Sequence, residues 1–453
     1  MNLLSIYANY NFNQMVCIMS KISLIVGLLI FLMTGCSKQP TITQESTTEK
    51  HEEVTQSFGQ DAIVDSEVNL EEIQSFMEQL GRDIKSGEVD KLTRSLDIRL
   101  MMSSLKQQGM IPKQFNVLDP EFLKMMNKKM ATRLSDPLTG WTWERVEVRS
   151  VRKISDDEVV CYCRSWDTDG IPMKWRWWLM KSSQSWKVYD VENLDVGIRF
   201  STIMATTFQA AGNSSLNLSE LQSLVGAFQL VAEGRLDEAL AQLDLVKDVK
   251  FPPLFDSMRW MGYAVVYQEQ GEPEEAILAA KKAIELNSDS PIMHLLAAKS
   301  YNLMGEYESA IKEIDFYAQK LAKDSSYHLM RGDAFQGLGE TDKAIEAYQA
   351  GVKDDPLSGD NIYGLIQTLP KDQDDLIIES IEKLTDKPEW FVGMCQISFD
   401  EETPATLERL IRVFKEVIPD DDNIEFYENE LKLWQEEEAA TDLEINPVPT
   451  EEL

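Results

Sequence analysis

Three glycines, Gly271, Gly305 and Gly339, stand 34 residues apart, and each is followed five residues later by an alanine: Ala276, Ala310 and Ala344. A fourth pair, Gly234 and Ala239, leads the series by 37 residues, so the first copy carries three extra positions. Upstream of each glycine a small residue recurs at Ala227, Ala264, Ala298 and Gly332, with a large one three positions on at Leu230, Tyr267, Tyr301 and Phe335. The small residues let two helices approach closely, the large ones fill the gap to the next pair, and a left-handed glycine ends the first helix of each pair. A chain patterned this way folds as helical hairpins stacked on one another, because one hairpin cannot bury its own apolar face.

The pattern, in four copies between residues 220 and 358, resembles the tetratricopeptide repeat, with Pro356 as the terminal proline of the last clear copy. At the other junctions that position holds Phe251, Ser288 and Ala322. The resemblance implies a concave groove lined by the first helix of each hairpin. Carried over by position, the lining is Met258, Met261, Val265 and Gln268, then Leu295, Lys299 and Asn302, then Leu329, Asp333 and Gln336. It is mixed and partly apolar, and it lacks the run of lysine and asparagine that grips acidic C-terminal peptides. The implied ligand is therefore the apolar face of a helix; the alternative is that the repeats only space the two ends of the chain. Beyond Pro356, runs at 376–384 and 405–418 read as further hairpins and 423–434 as a capping helix, which a solenoid needs.

Residues 67–205 read differently. Leu70, Ile73, Phe76, Met77, Leu80 and Ile84 recur at helical spacing, and a second helix is expected over 120–134. From Trp141 the period becomes two, with strands expected at 141–151, 158–166, 173–181 and 185–191, separated by short polar turns. Connections that short make an antiparallel meander. Helices followed by such a sheet, ending on Trp186-Lys-Val-Tyr-Asp-Val191, resemble the NTF2-like cone, including its Tim44-like and MlaC-like members; a related α+β domain is the alternative. The resemblance implies a pocket able to hold an apolar guest or to do acid–base chemistry with a placed carboxylate. Trp141, Trp143, Trp166, Trp175, Trp177, Trp178 and Trp186, with Met101, Met102, Met125, Met126 and Met130, would suit a lipid, and they equally make an ordinary core. Asp190 is the one carboxylate to single out, and it reads as a structural hydrogen-bond acceptor.

The N-terminus reads as an address. From Met19 the chain runs through Lys21 and an apolar stretch from Ile22 to Met33 into Thr34-Gly35-Cys36. That stretch is shorter than the roughly 20 apolar residues a membrane span requires and has the build of a signal peptide. Small residues before the cysteine resemble the lipobox of bacterial lipoproteins, which implies an acylated Cys36; an uncleaved signal anchor is the alternative. Two or more acyl chains give stable anchoring. Ser37, in place of the aspartate of inner-membrane lipoproteins, points to the outer membrane, with the protein facing the periplasm. Met19 is the expected true start, since residues 1–18 have no basic n-region. Residues 37–66 are rich in Ser, Thr, Gln and Glu and read as a flexible tether.

The formal net charge is −33, which repels nucleic-acid phosphates and anionic lipid headgroups and favours a basic partner surface; the alternative is that the acidity only keeps the protein soluble. Cysteines at 17, 36, 161, 163 and 395 match neither a disulfide framework nor a zinc site; Cys161 and Cys163, two apart on a strand, face the same way as small apolar groups. Of three histidines, His51 falls in the tether, while His294 and His328 occupy the same repeat position. No catalytic motif is present, so the expectation is a non-enzymatic protein without cofactor or metal. The fold class expected is multidomain: signal peptide 1–35, tether 36–66, α+β domain 67–205, an all-α tetratricopeptide solenoid 206–358, degenerate repeats and cap 359–435, and an acidic tail 436–453. The function expected is a membrane-anchored scaffold for protein partners, with a carrier of a lipid or other apolar small ligand as the alternative.

Overall fold

The computed structural model describes residues 69–135, 143–166, 172–182, 185–213, 218–288, 290–321 and 323–445. The expected signal peptide, Cys36, the tether, Trp141 and the last eight residues lie outside them. Contacts group 69–300 with 316–321 as one unit, and 301–315 with 323–445 as a second.

The first unit opens with helix α1 (Leu70–Ser86), whose Ile73, Met77, Leu80 and Ile84 form its buried stripe. Asn69 caps it by accepting the Glu72 N–H at 3.2 Å, and Gly87, at φ 69°, ends it with its N–H donated to the Ile84 carbonyl. Three further helices follow: α2 (Val89–Ser95), α3 (Arg99–Gln107) and α4 (Pro120–Leu134). The α4 span is the one the sequence predicts; α2 and α3 are not predicted by it.

Five strands, β1 (Arg145–Ser155), β2 (Glu158–Trp166), β3 (Pro172–Ser182), β4 (Ser185–Asn193) and β5 (Ile198–Arg199), form one antiparallel sheet in sequence order. Strand β1 runs four residues past its expected end at 151, so that Ser155 pairs with Glu158 and the turn to β2 is Asp156-Asp157. Irregular pairing at Val148/Ser150, Lys153/Ser155 and Trp178/Leu179 bends the sheet. Leu96 bridges Val188, tying the end of α2 to β4. Because side chains alternate along β3, Trp175 and Trp177 share a face and are buried, with the Trp143 ring edge-on to Trp177 at 5.3 Å. Helix α5 (Phe200–Asn213) follows the sheet, and its Phe208 meets Phe115 at 5.1 Å and Phe122 at 6.5 Å.

Helices α6 (Leu218–Ala232), α7 (Leu236–Asp244), α8 (Pro253–Gln270) and α9 (Pro273–Leu286) complete this unit's hairpins. Helices α10 (Pro291–Leu303) and α11 (Tyr307–Lys320) run across the division. The hairpin glycines adopt the left-handed conformation the spacing predicts: φ is 72° at Gly234, 77° at Gly271 and 74° at both Gly305 and Gly339.

The second unit continues with α12 (Ser325–Gly337), α13 (Thr341–Asp354), α14 (Gly359–Thr368), a 3₁₀ turn at Lys371–Gln373, α15 (Asp374–Glu382), α16 (Lys387–Asp400), α17 (Pro404–Val417) and α18 (Asp422–Ile445). Its core carries Phe391 stacked on Phe414 at 4.0 Å and Tyr348 fully buried. The expected runs at 376–384 and 405–418 appear as α15 and α17, while α14 and α16 lie where the glycine pattern has faded. Helix α18 extends to Ile445, ten residues into the segment expected as a solvated tail.

Candidate partner-binding surface

The expected groove residues fall into two groups. In the first unit Met258, Met261 and Val265 are 1%, 0% and 0% exposed, so they are core rather than an open lining. This corrects the expectation of accessibility there: position on the helix fixes which way a side chain points, not what covers it. Gln268 is also buried and accepts a hydrogen bond from Ser300. Lys299 is buried 4.0 Å from the Glu269 carboxylate, while Leu295 remains half-buried. Burial pushes the Glu269 carboxyl above its ordinary range, and Lys299 opposes the shift.

The same unit joins its sheet to its helices through a buried ion pair. Lys174 on β3 meets Asp195, in the β4–β5 turn, at 3.0 Å, and Asp195 also accepts the Lys174 backbone N–H at 2.9 Å. The Lys174 ammonium donates to the Tyr317 hydroxyl at 2.8 Å. The Asp195 carbonyl accepts the Ile292 N–H in the first turn of α10, satisfying a helix-end donor. Asp190 is fully buried; it accepts from Arg199 and from the Val191 and Ser201 N–H groups, as a structural acceptor should.

In the second unit a half-buried polar wall reaches the surface at Gln336. Asn302 donates to the Met330 carbonyl at 3.1 Å, and Leu329 is buried beneath. Asp333 is half-buried and Gln336 exposed on α12. The Tyr348 hydroxyl lies 2.9 Å from both Asp333 Oδ1 and Gln336 Oε1, which hold its proton. Gln336 reaches Gln367 on α14 at 3.5 Å; Gln367 and the Tyr363 hydroxyl each donate to Glu401 at 3.2 Å. Burial raises the Glu401 carboxyl above its usual range, with the Tyr363 and Gln367 hydrogen bonds opposing. Burial also raises the Tyr348 phenol, helped by Asp333, so it stays protonated. Sequence reasoning missed Gln367 and Glu401. The pair Tyr363-Gly364, matching the large-and-small logic of earlier hairpins, was the available signal.

His294 is half-buried with its ring 5.6 Å from Phe316, and burial lowers the His328 imidazole. Cys161 and Cys163 are buried with sulfurs 3.2 Å apart, facing one way as predicted. Among the described residues no helix is long and apolar enough to cross a membrane.

Residues 259–290 and 325–356 match the family model of the tetratricopeptide repeat. Over 81 residues the chain is 36% identical to small glutamine-rich tetratricopeptide repeat-containing protein 2 of Mycosarcoma maydis, a match covering 18% of this chain and 23% of that protein. The chain thus spans under a quarter of that relative's length. A solved tetratricopeptide repeat protein from Parabacteroides merdae is 17% identical, covering 51% of this chain and 91% of its own, with a TM-score of 0.36. Pseudomonas aeruginosa PilF is 13% identical, covering 48% and 98%, with a TM-score of 0.33. The chain carries tetratricopeptide repeats within an all-helical C-terminal region, preceded by an antiparallel sheet, and repeats of this kind serve protein–protein interaction.

Proposed function

We propose that the protein is a lipid-anchored envelope scaffold. Cys36 carries the acyl anchor, the chain faces the periplasm at the outer membrane, and the second unit receives a protein partner without catalysing a reaction. The observation that carries the binding part is the wall of Asn302, Asp333, Gln336, Gln367 and Glu401, in which Asp333 and Gln336 on α12 are linked through Gln367 on α14 to the Glu401 carboxylate at the end of α16. Such a wall fits a partner that presents cationic and amide donors, and the surplus of acid in this chain speeds the encounter. The apolar lining expected at Met258, Met261 and Val265 contributes to the core instead. The sheet and its helices are read as an NTF2-like cone.

The binding reading is tested by crosslinking pull-downs from cells with the full chain and with Gln336→Lys/Gln367→Lys. Loss of specific partners from the variant is expected; recovery of the same partners in the same yield would contradict it. The anchor reading is tested by intact mass: a mature chain starting at acylated Cys36 is expected, and an unprocessed leader overturns it. A second reading, a carrier of an apolar guest, draws on the Trp143 and Trp177 indole N–H groups, which are buried with no hydrogen-bond partner among the described residues. A guest with a carbonyl oxygen would satisfy them. Native mass spectrometry of the full chain that detects no co-purified lipid removes this reading.

A further inference from the structure

The charge of this chain is unevenly distributed. Residues 301–453 hold 13 basic and 37 acidic side chains, a net −24 of the total −33. Residues 98–135 hold seven basic and two acidic, a net +5. Within that stretch Arg99, Lys106, Lys113, Lys124 and Lys128 are exposed, and none of the five forms an ion pair among the described residues. Neighbouring cations of the same unit behave differently: Lys85 pairs with Glu144 and Lys91 with Glu88. In a protein with acid to spare, five cations left to solvent on two helices and the segment joining them are a surface open to an outside anion.

Apolar side chains stand among them. Leu100, Leu118 and Met125 are 36%, 36% and 40% exposed. The Ile98 N–H donates to Asn127 Oδ1 at 3.3 Å, which holds the start of α3, with Arg99 and Leu100, against the middle of α4, where Lys124 and Lys128 flank Asn127. The other face of α4 is fully used: Leu123, Met126, Met130, Ala131 and Leu134 are buried. The outward stripe therefore mixes lysine with a long apolar side chain, the composition of a helix that lies in a membrane interface with its ammonium groups at the headgroups.

We propose that the α3–α4 face rests on an anionic bilayer surface, Arg99, Lys124 and Lys128 meeting phosphate groups while Leu100 and Met125 enter the headgroup boundary. The proposal takes from the anchor reading only that the chain is held near a membrane; the face is argued on its own chemistry. At ordinary ionic strength the charges that act on such a contact are those within about 10 Å of it, so the net charge of the whole chain does not decide it. Docking of this face would fix how the anchored protein stands on the membrane.

The test is lysine acetylation footprinting of the full chain bound to vesicles of phosphatidylcholine alone or mixed with phosphatidylglycerol, read by mass spectrometry alongside peroxide oxidation of Met125. On the anionic vesicles, acetylation of Lys113, Lys124 and Lys128 is expected to slow roughly threefold or more relative to exposed Lys383 and Lys432. Met125 should be protected in parallel, and both effects should vanish at about 1 M salt and in Lys124→Glu/Lys128→Glu. A chain that pellets with both vesicle types while these footprints stay unchanged overturns the proposal and leaves the anchor reading intact. Pelleting and protection on anionic vesicles alone support the face and count against the anchor. Protection that appears without vesicles and grows with protein concentration assigns the face to a second copy's acidic unit and overturns the membrane.

Discussion

Replacing Gly332 with alanine puts one methyl group against a ring that cannot retreat. A Cβ at Gly332 would lie 2.6 and 2.7 Å from Tyr348 Cδ1 and Cζ, and one at Gly364 would lie 2.6 Å from the same two atoms. The ring is thus held between two helices that lack side chains at these points, is fully buried, and has its hydroxyl committed to Asp333 and Gln336. Alanine in mid-helix favours the fold by about 1 kcal/mol over glycine, whereas forcing a methyl into a packed core costs about 1–3 kcal/mol and the displaced hydroxyl adds the loss of a hydrogen bond, about 1 kcal/mol. Gly332→Ala should therefore destabilise the second unit by roughly 1–3 kcal/mol net. The diagnostic is the double mutant. Tyr348→Ala alone should cost about 3–5 kcal/mol, and on that background Gly332→Ala has nothing to strike, so it should stabilise by about 1 kcal/mol. Urea unfolding followed by circular dichroism, with hydrogen exchange across α12–α14 to localise the loss, measures all four corners of the cycle. A Gly332→Ala effect of the same sign with and without the ring would refute the wedge.

Two further outcomes follow from buried charge. Lys174→Met strands Asp195, 2% exposed, and should cost the first unit about 3–5 kcal/mol in thermal or urea unfolding, with Lys174→Met/Asp195→Asn recovering part of it; equal losses would place the stability elsewhere. Glu401 and Glu269 have folded-state pKa values raised by burial, so in the window above the ordinary glutamate value the folded chain binds more protons than the unfolded one. Their contribution is then present at low pH and declines as pH rises through the raised values. Glu401→Gln, which keeps an acceptor for Tyr363 and Gln367, should raise the melting temperature at neutral pH and flatten its fall between acid and neutral; an unchanged pH profile counts against the burial of this carboxylate.

The hairpins were legible because their information is local: a glycine, an alanine five residues on and a recurrence at 34 suffice without knowledge of any distant contact. Strands β2, β3 and β4 were legible for the same reason, period two bounded by polar turns. Helices α2 and α3 were not, since they are short and held by contacts far along the chain such as the Leu96–Val188 bridge. Strand β5 is two residues long and exists only because Glu192 and Asn193 are there to pair with it. At the binding surface, repeat position told which residues share a helix face, and Asn302, Asp333 and Gln336 lie half-buried or exposed. It could not tell that Met258, Met261 and Val265 are covered, because covering is a property of tertiary packing. A net charge is a sum, and −33 hid the cationic stretch at 98–135.

Photo-crosslinking in living cells tests the scaffold most directly. A photoreactive residue placed at Gln336 or at Gln367 should trap a defined protein partner, while one at Leu278, 62% exposed on α9 of the other unit, should not. Adducts of equal yield from all three positions, or from Leu278 alone, would contradict the account.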